Sequence, residues 1–492
     1  MPEIRDPFSS EARPVLEGRR GAVSAAHPLA VAAGQEMLVA GGNAVDAAIA
    51  AQAVLCVVAP EACGLGGDML ALVRGPDARI TAINGTGLAP AGYQGERPEG
   101  ANAITVPGIV CAWCEASERF GSLSLGHCLQ PAIEIARAGF RIPNRLETAR
   151  NEQHTRLLEG GAGDWALMGL GRGGRFVQPA LADLLSAIGD TGRVAFYQGE
   201  IADAIASAVG ALGGRLAAED LAAHETVLAE PNVTRFAGVD VATQPPMTQG
   251  ILLNMALNGL EQAGALADDQ ADHAGVELTE AAFSYRARVG EGKALLDQKL
   301  RINLERAQRR GGPRAYLHTA GVATSDADGM VVSSLISVFD DFGSCVFVPK
   351  GGFVLNDRAA GFGAAPNDPA PSKRPVHTLA PSMVTAKDSV LALATPGADG
   401  QVQTLLQVIS KIYRDGRDVA SAIAAPRWRS ENRDLLIERS HPEIAALRRR
   451  GHSLKVLDDG DSTFGGLVVA GINDGAPLAG ADWRRETWCG VA

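Results

Sequence analysis

The chain has 492 residues, 46% of them hydrophobic and 21% charged, enough apolar matter for a sizeable core and too much for wholesale disorder. Its net charge of −11, without a long basic run, argues against nucleic acid or an anionic membrane surface as a partner. No apolar run is long enough to span a bilayer and the opening MPEIRDPFSS has no secretory pattern, so a cytoplasmic location is expected.

In chain order, the first predicted elements are two helices. HPLAVAAGQEMLVAGG stops at Gly41-Gly42, and NAVDAAIAAQAVLCVVAP starts on the capping residue Asn43 and ends before Pro60. Ala44, Ala47, Ala48 and Ala51 give the second helix a small-residue face that admits close packing. CGLGGDMLALV follows. Gly64, Gly66 and Gly67 invite comparison with a phosphate loop, but no Lys-Ser/Thr follows and no helix opens after them. Tight backbone packing beside a strand at Met69–Val73 is expected instead. Cys111 and Cys114 form a C-x-x-C with His127-Cys128 beyond it, yet a zinc site would need a second pair, so cysteines packed inside a helix are expected.

Amphipathic helices are predicted at LGHCLQPAIEIARAGF and VELTEAAFSYRARVGEGKALL, and helices dominate up to about residue 318. Short alternating runs then take over at 330–338, 345–348, 352–356, 382–386, 389–394 and 464–472, with GQVQTLLQVISKIYRDG as a late helix. Within AYLHTAGVATSDADGMVVSSLISV, Asp328-Gly329 supplies a hairpin turn. Thr319 lies just upstream of its first strand.

The familiar catalytic signatures are missing: no G-x-S-x-G, no H-E-x-x-H, no dinucleotide fingerprint, and nine scattered histidines. What remains is a set of hydroxyls, Thr319, Ser333, Ser334 and Ser337, and the glycine-containing turn TPGADG. A threonine at a new N-terminus would carry its own base, an α-amine of pKa about 7.7–8.0. From the residues alone, a threonine that merely opens a strand is the competing reading.

The blocks AGGNAVDAAIAAQAVLCVVAPEACGLGGDMLAL, VPGIVCAWCEASERFG, QPPMTQGILLNMALNGLE, TAGVATSDADG, LNDRAAGFG, KRPVHTLAPSMV and TPGADGQVQTLLQVI stand in one order along the chain. On these the sequence resembles the γ-glutamyltranspeptidase family of N-terminal-nucleophile hydrolases over nearly its whole length. The resemblance implies an α+β fold, a four-layer αββα sandwich. It implies a precursor that cuts itself between His318 and Thr319, giving a helix-rich segment 1–318 and a β-rich segment 319–492 that stay together as one body. Thr319 would then be the nucleophile that forms an acyl-enzyme. Ser337 matches the family's second hydroxyl, usually a threonine, and Gly397 and Ala398 match the pair whose N–H groups form the oxyanion hole. Ala398 replaces a glycine there, which is harmless at negative φ and strained at positive φ. No metal or organic cofactor is implied.

The specificity residues depart from the family pattern. Thr86 stands where an arginine holds the substrate α-carboxylate, Ala360 and Gly361 where an acidic pair holds the α-amine, and His377 and Thr378 where a serine pair sits. The motifs NGTG, NDR and RPVHTLAP resemble a divergent branch that includes oxamate amidohydrolase and acylase-like proteins. In that setting Arg358 and His377, with Thr86 and Thr378, are candidates to bind a small carboxylate. An exposed loop residue and a structural hydrogen bond are the plainer readings of Arg358 and His377. The expected substrate is a small acidic amide. A γ-glutamyl hydrolase or transferase acting on glutathione-like compounds, and an unprocessed non-catalytic homologue, are the alternatives; a homo-oligomer is compatible with either.

Overall fold

A computed structural model describes residues 13–308 and 319–492. The hairpin forms as expected: Ala320–Asp326 pairs antiparallel with Val331–Ser337, and Gly329 takes the turn at φ +97°. This hairpin is the centre of a seven-stranded antiparallel sheet ordered Trp488–Val491, Gly21–Ala25, Ala320–Asp326, Val331–Ser337, Asp68–Arg74, Ile80–Gly85, Val227–Ala229. A second seven-stranded sheet runs Leu16–Glu17, Ala476–Ala481, Val468–Asn473, Ser389–Ala394, Ser382–Thr385, Val239–Thr243, Asn232–Phe236.

Strand alternation builds the layers. Along Val331–Ser337, Val331 and Leu335 pack between the sheets against Met383, Ala392 and Ala394, whereas Val332 and Ile336 pack on helices. Small residues such as Ala22, Ala82, Ala323 and Ala470 line the gap and let the sheets approach. The outer face of the first sheet carries helices Pro28–Val39, Ala44–Val58, Ile109–Phe120 and Leu125–Ala138. That of the second carries Gly250–Ala263, Ala271–Phe283 and Gly400–Tyr413. The result is the αββα sandwich.

Local chemistry sets the ends of the central helix. Asn43 Oδ1 accepts from the Val45 and Asp46 amides, while the Asp46 carboxylate accepts from Asn43 N, a capping box. Every residue from Ala44 to Val58 is buried. Of the hairpin serines outside the candidate site, Ser333 Oγ donates to Leu393 O at 2.8 Å and Ser334 Oγ accepts from Gln52 Nε2 at 2.7 Å, whereas Ser325 Oγ is buried without a hydrogen-bond partner among the described residues. Cys111 and Cys114 lie on Ile109–Phe120, and burial pushes the Cys114 thiol up to about 12. All seven cysteines are free.

The helix-dominated segment before 318 also supplies seven of the fourteen strands of the two large sheets. One expectation needs correction. The helix expected through VELTEAAFSYRARVGEGKALL ends at Phe283 and gives way to a 3₁₀ stretch, Arg286–Asp297, broken at Gly292 with φ +56°. No helix among the described residues is long and apolar enough to cross a membrane.

Candidate active site

The register of the first sheet assembles a row of polar residues at one end of its strands. Ala320 faces Ile336, so one step further Thr319 faces Ser337. Ser337 in turn pairs with Asp68, and the pairing of Met69 with Gly85 brings Thr86 next in line. Directly opposed residues have Cβ atoms about 5 Å apart. Thr319 and Ser337 share the parity of Ala323 and Leu335, which face the second sheet. Both are buried. His318, the other half of the expected cleavage site, lies outside the described residues.

Asp68 is the electrostatic centre of this row. It is fully buried, accepts from Arg358 Nε at 3.0 Å and receives His377 Nε2 at 3.2 Å. Leu379 N donates to His377 Nδ1, so the ring proton sits on Nε2 and points at Asp68. Burial opposes ionisation of Asp68, but the His377 hydrogen bond and the Arg358 charge outweigh it and hold the carboxyl below its usual range. Burial, helped by the Arg358 charge, pushes His377 down to about 4, so the ring is neutral at neutral pH.

Arg358 is neither an exposed loop residue nor fully satisfied. It is 0% exposed, and its guanidinium lies over the Phe339 ring at 4.4 Å. Phe339 sits at φ +88° and its N–H donates to Ser337 Oγ at 2.9 Å, linking the cation to the Thr319–Ser337 pair. Among the described residues, the Nη1 and Nη2 atoms of Arg358 are buried without a hydrogen-bond partner, as is Asp68 Oδ1. Two unpaired guanidinium nitrogens cost free energy that an anion would recover.

The loop that carries Arg358 is held by Asn356. Its Nδ2 donates to Gly66 O and Thr105 O, and its Oδ1 accepts from Thr105 N and Arg358 N. Gly66 and Gly67 permit this contact: a Cβ on Gly66 would collide with the Val354 carbonyl, and one on Gly67 would lie 2.5 Å from Ser337 O. The glycine run is therefore close backbone packing, as expected. Asp357 accepts from Asp340 N at 3.1 Å, and Asp399 accepts at 3.2 Å from Nε of Arg286, the first residue of the 3₁₀ stretch.

From the second sheet, Ala394 comes within 3.5 Å of where a Gly321 Cβ would stand, and the chain continues into Thr395–Asp399 beyond it. Gln249 Nε2 joins Thr378 O to Ala398 O, so the RPVHTL and TPGADG loops are tied together. Arg429 Nη2 donates to Gly397 O at 3.1 Å. Among the described residues, the amides of Gly397 and Ala398 donate to no protein acceptor. Ala398 adopts φ +45°, the strained alternative rather than the harmless one. Thr86 Oγ1 donates to Asn84 Oδ1 at 2.7 Å and Thr86 O accepts from Arg374 Nε at 2.9 Å, so the threonine that replaces the family's arginine is engaged within the protein.

A family model described as Gamma-glutamyltranspeptidase matches residues 30–490. The chain belongs to the gamma-glutamyltranspeptidase family. It is 31% identical to the acylase ACY 1 proenzyme of Pseudomonas sp. (strain SE83), over 99% of this chain and 96% of the relative. It is also 31% identical to the oxamate amidohydrolase proenzyme of Klebsiella pneumoniae, over 93% and 96%. The structure of cephalosporin acylase from Bacillus halodurans superposes with a TM-score of 0.89 at 29% identity, covering 100% of this chain and 99% of that one. As a member of the gamma-glutamyltranspeptidase family the protein is an enzyme of amide hydrolysis or transfer, of the N-terminal-nucleophile type.

Three residues at the site of this gamma-glutamyltranspeptidase-family member carry no signal that the sequence reading used. Asp68 was hidden behind the glycine run, although an acid opening an apolar strand is itself a signal of a buried partner. Gln249 and Asn356 act through backbone contacts with distant loops, which no local pattern announces.

Proposed function

We propose that the protein is a self-processing amide hydrolase in which Thr319 is the nucleophile and a small acidic amide the substrate. The observation that carries the substrate class is the buried Arg358 guanidinium, with Nη1 and Nη2 unpartnered, one side chain away from Ser337. In the precursor, Thr319 Oγ attacks the His318 carbonyl carbon, the acyl group passes from N to O, and water hydrolyses the ester. This leaves segments 1–318 and 319–492. The freed α-amine of Thr319 then takes the Oγ proton as Oγ attacks the substrate amide carbon. The Gly397 and Ala398 N–H groups donate to the oxyanion, the C–N bond breaks, the amine leaves with the proton, and water resolves the acyl-enzyme. Ser337 would steady Thr319 Oγ, and Arg358 would pair with the substrate carboxylate while His377 keeps Asp68 in place.

The names of the oxamate amidohydrolase and acylase relatives support amide hydrolysis, while a glutathione hydrolase-like relative of equal identity keeps a γ-glutamyl substrate as the second reading. The engagement of Thr86, which leaves no arginine at that place for an amino-acid head group, favours the first.

Intact-protein mass spectrometry of the wild type beside Thr319→Ala tests the processing. The expected result is two pieces in the wild type, the smaller beginning TAGVATSD, and one in the variant. A single uncut species in both would make the protein a non-catalytic homologue. Arg358→Lys tests the pocket. A bidentate partner for a carboxylate is replaced by a point charge, so kcat/KM for an acidic amide such as oxamate should fall about 30-fold or more, equivalent to about 2 kcal/mol. Activity on γ-glutamyl-p-nitroanilide that exceeds activity on oxamate would reverse the substrate assignment.

A further inference from the structure

On the outer side of the second sheet, His273 and Glu277 occupy successive turns of helix Ala271–Phe283, and His452 comes from the turn after helix Ile444–Arg449. All three are buried. One ligand atom from each lies within 4.8 Å of the others, and His273 Nδ1 stands 2.7 Å from His452 Nε2. Two imidazoles and a carboxylate are a donor set that first-row transition metals take.

The surroundings prepare these atoms for a cation. Asn303 O can only accept, so the 2.7 Å contact from His273 Nε2 places the ring proton there and leaves the Nδ1 lone pair facing His452 and Glu277. A backbone carbonyl on the far ring nitrogen is how metal-binding histidines are commonly oriented. Gln308 N donates to Glu277 Oε1 at 3.0 Å and fixes the carboxylate as well.

We propose that His273 Nδ1, His452 Nε2 and a Glu277 oxygen bind one divalent transition-metal ion, with solvent completing its coordination. His452 carries its single ring proton on Nδ1 in that state, so both imidazoles stay neutral and the metal bonds use existing lone pairs. Two nitrogens about 2.1 Å from a metal and at right angles are about 3.0 Å apart, so the histidines separate by a few tenths of an ångström. His273 and Glu277 precede Thr319 in the chain and His452 follows it. On the proposed cleavage, the ion would bridge the two pieces; binding itself does not depend on that reading.

The test is calorimetric titration of chelator-treated full-length protein with Zn²⁺, beside Glu277→Gln, His273→Gln and His452→Gln. Glu277→Gln keeps the size of the side chain and an oxygen for Gln308 N. One zinc per chain is expected in the wild type, with at least 100-fold weaker binding in each variant. Co²⁺ should give visible d–d bands without a thiolate charge-transfer band. A thermal midpoint that rises with zinc in the wild type and in none of the variants serves where a variant is too unstable to titrate. No zinc uptake by the wild type, or uptake unchanged in the variants because cysteines or other histidines hold the ion, would overturn the site whether or not the chain is cut at Thr319.

Discussion

Asp68 and His377 lose stability in different pH windows, because each shift has its own sign and range. His377 is held at about 4 against an ordinary 6.5, first by burial and then by the Arg358 charge. Between those values the unfolded chain binds a proton that the folded one refuses, so stability falls as pH drops from 6.5 toward 4, by up to about 3 kcal/mol. Asp68, held below the ordinary carboxylate value, keeps its contribution through that window and loses it only at more acidic pH, as the depressed value is crossed. His224 and His27, each lowered to about 4, add to the same slope. Urea unfolding of His377→Gln between pH 7.5 and 5 should show a slope smaller by close to one proton. An unchanged slope would mean that His377 titrates normally. Ala398 makes a separate point. At φ +45° its Cβ is strained, so Ala398→Gly should gain about 0.5–1 kcal/mol in unfolding free energy while keeping the N–H. The substitution of glycine by alanine was plain in TPGADG; its conformation was not, because φ is set by the Gln249 and Arg429 bonds to the turn.

Elements were legible where their own residues determine them. Asn43 with Asp46, Asp328-Gly329 and the alternation of Val331–Ser337 each announce a cap, a turn or a strand, and all three are present. Strands such as Gly21–Ala25 and Val239–Thr243 went unread because GAVSA and VDVAT are short and ambiguous; pairing across the sheet, not propensity, makes them strands. The opposite failure occurred after Phe283, where apolar spacing suggested a long helix: the α-helix ends there, and the 3₁₀ stretch that follows is broken at Gly292, where a Cβ would meet the Pro246 ring. The glycine run at 64–67 was legible as packing but not as the support of the site. Its contacts allow a test: Gly66→Ala drives a methyl into the Val354 carbonyl and should cost about 1–3 kcal/mol or more, with the Asn356 loop and Arg358 displaced. Gly64, where an added Cβ would meet nothing within 4 Å among the described residues, serves as the control, and Gly64→Ala should be close to neutral by the same unfolding measurement. Equal effects at both positions would show that space at Gly66 is not what matters.

At the scale of the whole molecule, the two segments divided by Thr319 cannot each complete a sheet. In the first sheet Gly21–Ala25 lies between Trp488–Val491 and Ala320–Asp326, and Val331–Ser337 lies against Asp68–Arg74. In the second, Val239–Thr243 and Asn232–Phe236 extend a sheet whose other strands, apart from Leu16–Glu17, come from beyond Thr319. Separating 1–318 from 319–492 would strip backbone partners from the middle of the first sheet and expose the row of small residues between the sheets. Asp68, in one segment, would also lose both Arg358 and His377, in the other, leaving a buried carboxylate and a buried guanidinium uncompensated. Each segment expressed alone should therefore aggregate or remain unfolded by circular dichroism and size-exclusion chromatography. Co-expression should return a single species in which both pieces migrate together. A soluble, cooperatively unfolding 319–492 on its own would contradict the interleaving, because its four strands of the second sheet and its three of the first would have to close without their neighbours.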